Sequence, residues 1–68
     1  MAIKDWHHPS GIKHVWEKNG RWVSWGYYKG KELPYIVDTI KMGMLDILGR
    51  FKTKAQALHL VKQYLETH

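Results

Sequence analysis

Residues 12–28 read IKHVWEKNGRWVSWGYY and contain two runs of alternating apolar and polar side chains separated by Asn19-Gly20. Successive side chains of a strand point to opposite faces of a sheet, so this alternation predicts two strands. Asn and Gly both tolerate the positive φ that a two-residue hairpin turn requires. The stretch therefore predicts an antiparallel hairpin that turns at Asn19-Gly20.

The register of this hairpin divides its side chains between two faces. A two-residue loop places Lys18 opposite Arg21 and Trp16 opposite Val23, and cross-strand partners share a face. The predicted core face carries Ile12, His14, Trp16, Val23, Trp25 and Tyr27. The other face carries Lys13, Val15, Glu17, Trp22, Ser24, Gly26 and Tyr28. We expect this second face to meet water, unless residues 32–46 fold over it and bury its aromatic rings.

The C-terminal part of the chain predicts a helix. Thr53-Lys54-Ala55-Gln56 has the capping-box pattern, in which the Thr hydroxyl accepts a hydrogen bond from an early helix N–H group. Apolar side chains then fall on one arc of a helix from about residue 54 to residue 66, and they are Ala57, Leu58, Val61, Tyr64 and Leu65. This stripe has to pack on the apolar face of the hairpin.

The segment between the hairpin and this helix fits two kinds of structure. Leu33, Ile36, Val37, Ile40 and Met44 fit a helical stripe, whereas the Tyr, Ile, Val and Thr residues of 35–40 favour a strand. We interpret residues 32–44 as extended, with a bend near Met42-Gly43. A last strand then follows over residues 45–51.

These elements predict one α+β domain, since 68 residues are enough for a single domain only. Residues 1–10 contain turn-forming residues without periodicity and are interpreted as an N-terminal arm, with the domain over residues 11–68. The predicted architecture is a small antiparallel sheet of about three strands with one C-terminal helix packed on one face.

The composition excludes several classes of protein. The chain has no cysteine, which excludes both a disulfide and a cysteine-bound zinc ion. No run approaches the ~20 apolar residues that cross a bilayer, and residues 1–6 lack the apolar core of a signal peptide. We therefore expect a cytoplasmic protein that does not enter a membrane.

The charge balance points to anionic partners. Eleven Lys and Arg residues against six Asp and Glu residues give a formal net charge of +5. A chain this basic attracts polyanions, above all a phosphate backbone. The same charge is equally compatible with a role in solubility alone, so the arrangement of the cations has to decide.

Several segments resemble AP2-type DNA-binding domains and the similar arm-binding domains at the N-termini of some phage-type integrases. The shared segments are Gly11-Ile12, Asn19-Gly20-Arg21-Trp22-Val23, Gly30-Lys31 and Leu48-Gly49-Arg50-Phe51-Lys52-Thr53, with Ala57 in the helix. The resemblance implies three antiparallel strands, a C-terminal helix and a sheet that enters the DNA major groove. Two features depart from that family: the basic run of its first strand is reduced to Lys13 and His14, and residues 32–47 form an insertion.

The resemblance implies DNA contacts from the matching outward positions, which are Lys13, Arg21, Trp22 and Ser24. Their chemistry agrees, because Arg can bind guanine acceptors or a phosphate and an exposed aromatic ring can stack on a base. On the same grounds Tyr28 is a candidate for stacking, and Lys29 and Lys31 are candidates for phosphate contacts. The predicted function is nucleic-acid binding, principally of duplex DNA, in a regulatory or recombination accessory role.

Two other functions fit the same sequence. Binding of RNA or of single strands uses the same basic and aromatic side chains. A protein-interaction module, for instance a small phage-type protein that binds and inhibits a host protein, would use the exposed aromatic rings as anchors. The sequence is compatible with a monomer and with a dimer formed through an open sheet edge.

The remaining polar residues suggest neither catalysis nor metal binding. The five histidines include no pair at a spacing typical of metal ligands, and the six acidic residues include no pair suited to acid–base chemistry. The glycines are isolated in turns and form no phosphate-binding loop. We expect no enzymatic activity, no cofactor and no metal ion.

Overall fold

The computed structural model describes residues 5–68, which form an antiparallel sheet and one helix. The strands are β1 (Val15–Lys18), β2 (Arg21–Tyr27), β3 (Tyr35–Lys41) and β4 (Met44–Phe51), and the helix is α1 (Lys54–Thr67). Each strand pairs with the next one along the chain, in the order β1-β2-β3-β4. The predicted α+β class is confirmed, and the sheet has four strands rather than about three.

The first hairpin has the predicted turn and register. Asn19 and Gly20 both have positive φ, 52° and 83°, as a two-residue turn requires. Trp16 pairs with Val23 and Lys18 pairs with Arg21, so the predicted division into two faces holds along β1 and β2.

Two residues assigned to the core face of the hairpin, Ile12 and His14, precede β1 and are exposed. A single 3₁₀ turn over Pro9–Gly11 precedes β1, and the Val15 N–H group donates to the Ile12 carbonyl at 3.3 Å. The chain therefore still turns at residues 12–14, and Ile12 is 42% exposed. The prediction of Ile12 and His14 as core residues was wrong, because β1 begins only at Val15.

The second hairpin consists of β3 and β4, and it confirms the extended interpretation of residues 32–44. Its turn is at Met42 and Gly43, whose φ values are 55° and 79°. Val37 and Thr39 of β3 are buried, whereas Asp38 between them points to the other face. The sheet has one strand more than the family resemblance implies. β3 is an inner strand, which pairs with β2 on one side and with β4 on the other.

The core lies between α1 and the sheet face that carries Val23 and Val37, both of which are fully buried. The helix contributes the predicted stripe, and its most buried members are Ala57, Val61 and Leu65. Thr53 is the N-cap, and its side-chain oxygen accepts a hydrogen bond from the Gln56 N–H group at 3.2 Å. The predicted helix and its packing face are therefore confirmed.

The described part of the N-terminal arm packs on the domain. Trp6 is 6% exposed and belongs to the core, and its ring meets Tyr64 edge-on at 6.3 Å between centroids. The indole N–H group donates to the Leu65 carbonyl at 3.1 Å, which satisfies one of the carbonyls that the end of a helix leaves without a partner. His7 also pairs with Glu17 through two backbone hydrogen bonds, at 3.1 and 2.8 Å.

We predict that Trp6→Phe destabilises the fold by about 2 kcal/mol, since it removes one buried hydrogen bond and leaves a small cavity. In a domain of this size the melting temperature should fall by roughly 10 °C, measured by circular dichroism. Trp22→Phe is the matched control, because Trp22 is 39% exposed and should change the stability by no more than about 0.5 kcal/mol. Equal losses in the two variants would contradict the assignment of Trp6 to the core.

Candidate nucleic-acid interface

The face of the sheet opposite α1 has no cover among residues 5–68, and we call it the open face. Residues 32–46 do not fold over it; they extend the sheet sideways as β3 and β4. Trp22 is 39% exposed on this face. The structure therefore excludes the alternative in which the segment after the first hairpin buries the aromatic rings of this face.

The open face is apolar rather than basic. Trp22 pairs with Ile40 and Ile40 pairs with Leu45, so three large apolar side chains form a row across β2, β3 and β4. Leu45 is 57% exposed, and Ile47 in the next row is 46% exposed. The charged side chains of this face are Glu17, Asp38 and Arg50, from the register of the strands. One cation against two carboxylates makes this face a poor surface for a polyanion.

Tyr28 completes the open face at its other end. Gly26 lies on this face, and a Cβ atom built on it would lie 3.2 Å from the Tyr28 ring. The ring therefore covers the space that a larger residue at position 26 would fill. Tyr28 is 48% exposed in this position.

Five exposed lysines lie at one end of the sheet, which we call the basic end. This end is defined by the row in which Tyr27, Tyr35 and Phe51 pair across β2, β3 and β4. Four segments lie beyond this row or beside it, and they are the turn before β1, the loop of residues 28–34, the link of residues 52–53 and the start of α1. The exposed lysines that they contribute are Lys13, Lys29, Lys31, Lys52 and Lys54.

The charges around the basic end favour an anion. Glu32 is the only acidic residue in the segments that supply its lysines. The N-terminus of the 14-residue helix α1 also lies here, and its partial positive charge adds to that of the lysines. The segments at this end thus carry five positive charges against one negative charge.

An aromatic row leads from the core to the basic end on the side of the sheet that α1 covers. It consists of Trp25, Tyr35 and Tyr27, with centroid separations of 6.1 Å for the first pair and 5.0 Å for the second. The Lys54 ammonium lies 5.1 Å from the centroid of the Trp25 ring, within the range of a cation–π contact. Tyr27, at the outer end of the row, is 56% exposed.

The residues predicted to bind nucleic acid do not form one surface. Lys13, Lys29 and Lys31 lie at the basic end. Trp22, Ser24 and Tyr28 belong to the open face, where the Ser24 hydroxyl donates to Asp38 at 2.7 Å.

Arg21 lies apart from both groups. It is the first residue of β2, at the other end of the sheet, and it pairs with Lys18 on the side that α1 covers. The alternation of β2 places it on the opposite face from Trp22 and Ser24. The family resemblance treated these positions as one outward surface, whereas the register separates them.

Sequence reasoning did not select Lys52, Lys54 or Tyr27 for the site. A signal for the two lysines was present, because the Thr53 cap places both beside the start of α1. Tyr27 was assigned to the core face, and it does lie on that face, but beyond the part that α1 covers. Its exposure depends on the position of the helix and has no local signal in the sequence.

Residues 5–68 contain no group of three or more His, Asp or Glu side chains arranged to hold a metal ion. Within the same residues, no helix is long and apolar enough to cross a membrane.

Comparison of the chain with models of protein families, with curated proteins and with solved structures gives no match. The likeness to AP2-type domains therefore remains a hypothesis that rests on short segments of sequence.

Proposed function

We propose that this protein binds nucleic acid through the basic end of its sheet. The observation that carries the proposal is the placement of five exposed lysines, from three separate parts of the chain, at the end of the sheet where α1 begins. Clustered cations with little opposing charge attract a phosphate backbone and guide its approach. Lysine contacts to phosphate would position the ligand without reading its sequence.

The distribution of charge over the molecule supports a binding role over a role in solubility alone. The C-terminus of α1 lies at the other end of the sheet, where Lys18 donates a hydrogen bond to the His68 carbonyl. The Lys18 ammonium also lies 5.2 Å from the centroid of the Trp6 ring. Glu17, Asp46 and Glu66 lie toward this second end, which balances its cations.

This proposal moves the contact surface away from the open face. A sheet that enters the major groove needs cations on the face that meets the phosphates, and the open face has Arg50 alone. The Asp38 carboxylate on the same face would repel the backbone, and the Glu17 carboxylate lies 2.9 Å from the His7 ring nitrogen Nε2. The proposed site therefore keeps Lys13, Lys29 and Lys31 from the residues predicted by the sequence, and it adds Lys52 and Lys54.

The proposal predicts that Lys29→Gln, Lys31→Gln and Lys52→Gln together weaken binding to a labelled oligonucleotide, measured by fluorescence anisotropy over a salt series. The loss of three phosphate contacts should reduce the slope of log affinity against log salt by about 2 for a single strand and by about 3 for a duplex. The control combines Arg21→Gln, Lys41→Gln and Lys62→Gln, which remove the same charge from other parts of the surface. An equal loss of affinity in both triple variants would show that only net charge matters and would overturn the site.

The open face favours a second function, which is binding of a partner protein. Trp22, Ile40, Leu45 and Ile47 are all exposed and adjacent on three strands, and a contiguous apolar patch of this kind is typical of a protein-interaction surface. The complementary partner is a protein surface with an apolar centre that packs on these side chains.

The second function predicts that Leu45→Thr with Ile47→Thr abolishes binding of a purified partner, while the lysine variants at the basic end retain it. Threonine keeps the preference for a strand but removes apolar area, so the fold should remain intact. Ile12→Thr with Leu33→Thr is the control, since these exposed residues lie outside the open face. Calorimetric titration of the same partner should show unchanged affinity for the control, and equal losses in both double variants would count against the open face.

A further inference from the structure

We propose that the nucleic acid bound at the basic end is single-stranded, and that one of its bases stacks on the ring of Tyr27. This inference rests on the proposed function, because it names the class of ligand for the same site. It also assigns a role to Tyr27, which lies between the lysines and the core.

The aromatic row holds Tyr27 in position for stacking. Tyr27 and Tyr35 are directly opposite each other on β2 and β3, and their centroids are 5.0 Å apart. Tyr35 is in turn supported by Trp25, at 6.1 Å. The exposure rises along the row, from the half-buried Trp25 and Tyr35 to Tyr27, which is 56% exposed. A ring that packs on one side and meets water over most of its surface is preorganised to receive a base, since little conformational freedom is lost on binding.

Two pairs of lysines lie at the same end of the sheet as this ring. Lys29 and Lys31 follow Tyr27 in the loop between β2 and β3. Lys52 and Lys54 follow Phe51, which pairs with Tyr35 at the end of β4. A stacking ring between cations is the arrangement by which proteins bind single strands, because the cations hold the backbone while a base covers the ring.

A duplex does not use this arrangement. Its bases are stacked on one another, so their faces are not available to Tyr27 unless a base leaves the helix, which costs a few kcal/mol. In a single strand the faces are free, and every base has one, so the site would show little sequence preference. The geometry therefore selects the single strand by the accessibility of base faces rather than by charge.

The competing explanation is that Tyr27 is only the outermost residue of the core. A matched substitution of Tyr28 distinguishes the two explanations. The two tyrosines are adjacent and similarly exposed, at 56% and 48%, but Tyr28 lies on the open face against Gly26, away from the aromatic row. Tyr27→Thr and Tyr28→Thr are therefore matched variants. They remove the same ring from opposite faces of the sheet, at the end of β2.

The experiment measures binding of both variants and of the natural chain by fluorescence anisotropy. The probes are oligothymidylate of about 12 nucleotides, a duplex of the same length and, as a competitor without bases, inorganic polyphosphate. We expect the natural chain to prefer the single strand over the duplex. Tyr27→Thr should weaken single-strand binding about tenfold and leave duplex binding and polyphosphate competition unchanged, whereas Tyr28→Thr should retain single-strand affinity. Circular dichroism of each variant checks that the sheet is intact.

The outcomes distinguish the inference from the proposed function. Equal affinity for single strand and duplex, with no effect of Tyr27→Thr, would overturn the stacking role while the lysine site remained. A loss of single-strand binding in Tyr28→Thr but not in Tyr27→Thr would move the stacking surface to the open face and overturn it as well. If no probe binds at low salt, the proposed function itself fails.

Discussion

A single helix covers only part of one face of a four-stranded sheet, and this mismatch determines the surfaces of the molecule. A helix with its side chains is roughly 10 Å wide, whereas the outer strands of four are roughly 14 Å apart. α1 therefore buries Val23 and Val37 in the middle of the sheet and leaves Tyr27 and the first half of β4 in contact with water. The opposite face of the sheet has no cover at all within residues 5–68.

The exposed surfaces differ in chemistry because strands and connections have different compositions. Strand positions favour β-branched and aromatic side chains, so the uncovered face is mainly apolar around Trp22 and Ile40. Lysines concentrate where the chain leaves the sheet, in the loop of residues 28–34 and beside the start of α1. A charged ligand therefore binds at the basic end of the sheet, and an apolar partner binds on the open face. The two candidate functions use separate residues, which makes them independent of each other.

A core this small depends on residues from the whole chain. The buried apolar side chains among residues 5–68 are few, and one of them is Trp6, which is far in sequence from the helix on which it packs. Its indole ring contributes a large buried area, and its N–H group satisfies a carbonyl at the end of α1. A 68-residue chain without disulfides has few other means of stabilising such a core. The N-terminal segment therefore contributes to the same core as the strands and the helix.

The sequence by itself determined the hairpin at Asn19-Gly20, the bend at Met42-Gly43, the capped helix and the sheet face on which that helix packs. These features depend on turn chemistry and side-chain periodicity, which act between residues only a few positions apart. Tertiary structure alone decided that β3 is an inner strand, that Trp6 enters the core, and that five lysines lie at the same end of the sheet as Tyr27. These outcomes depend on contacts between residues as many as 59 positions apart, and no local pattern specifies which distant partners meet.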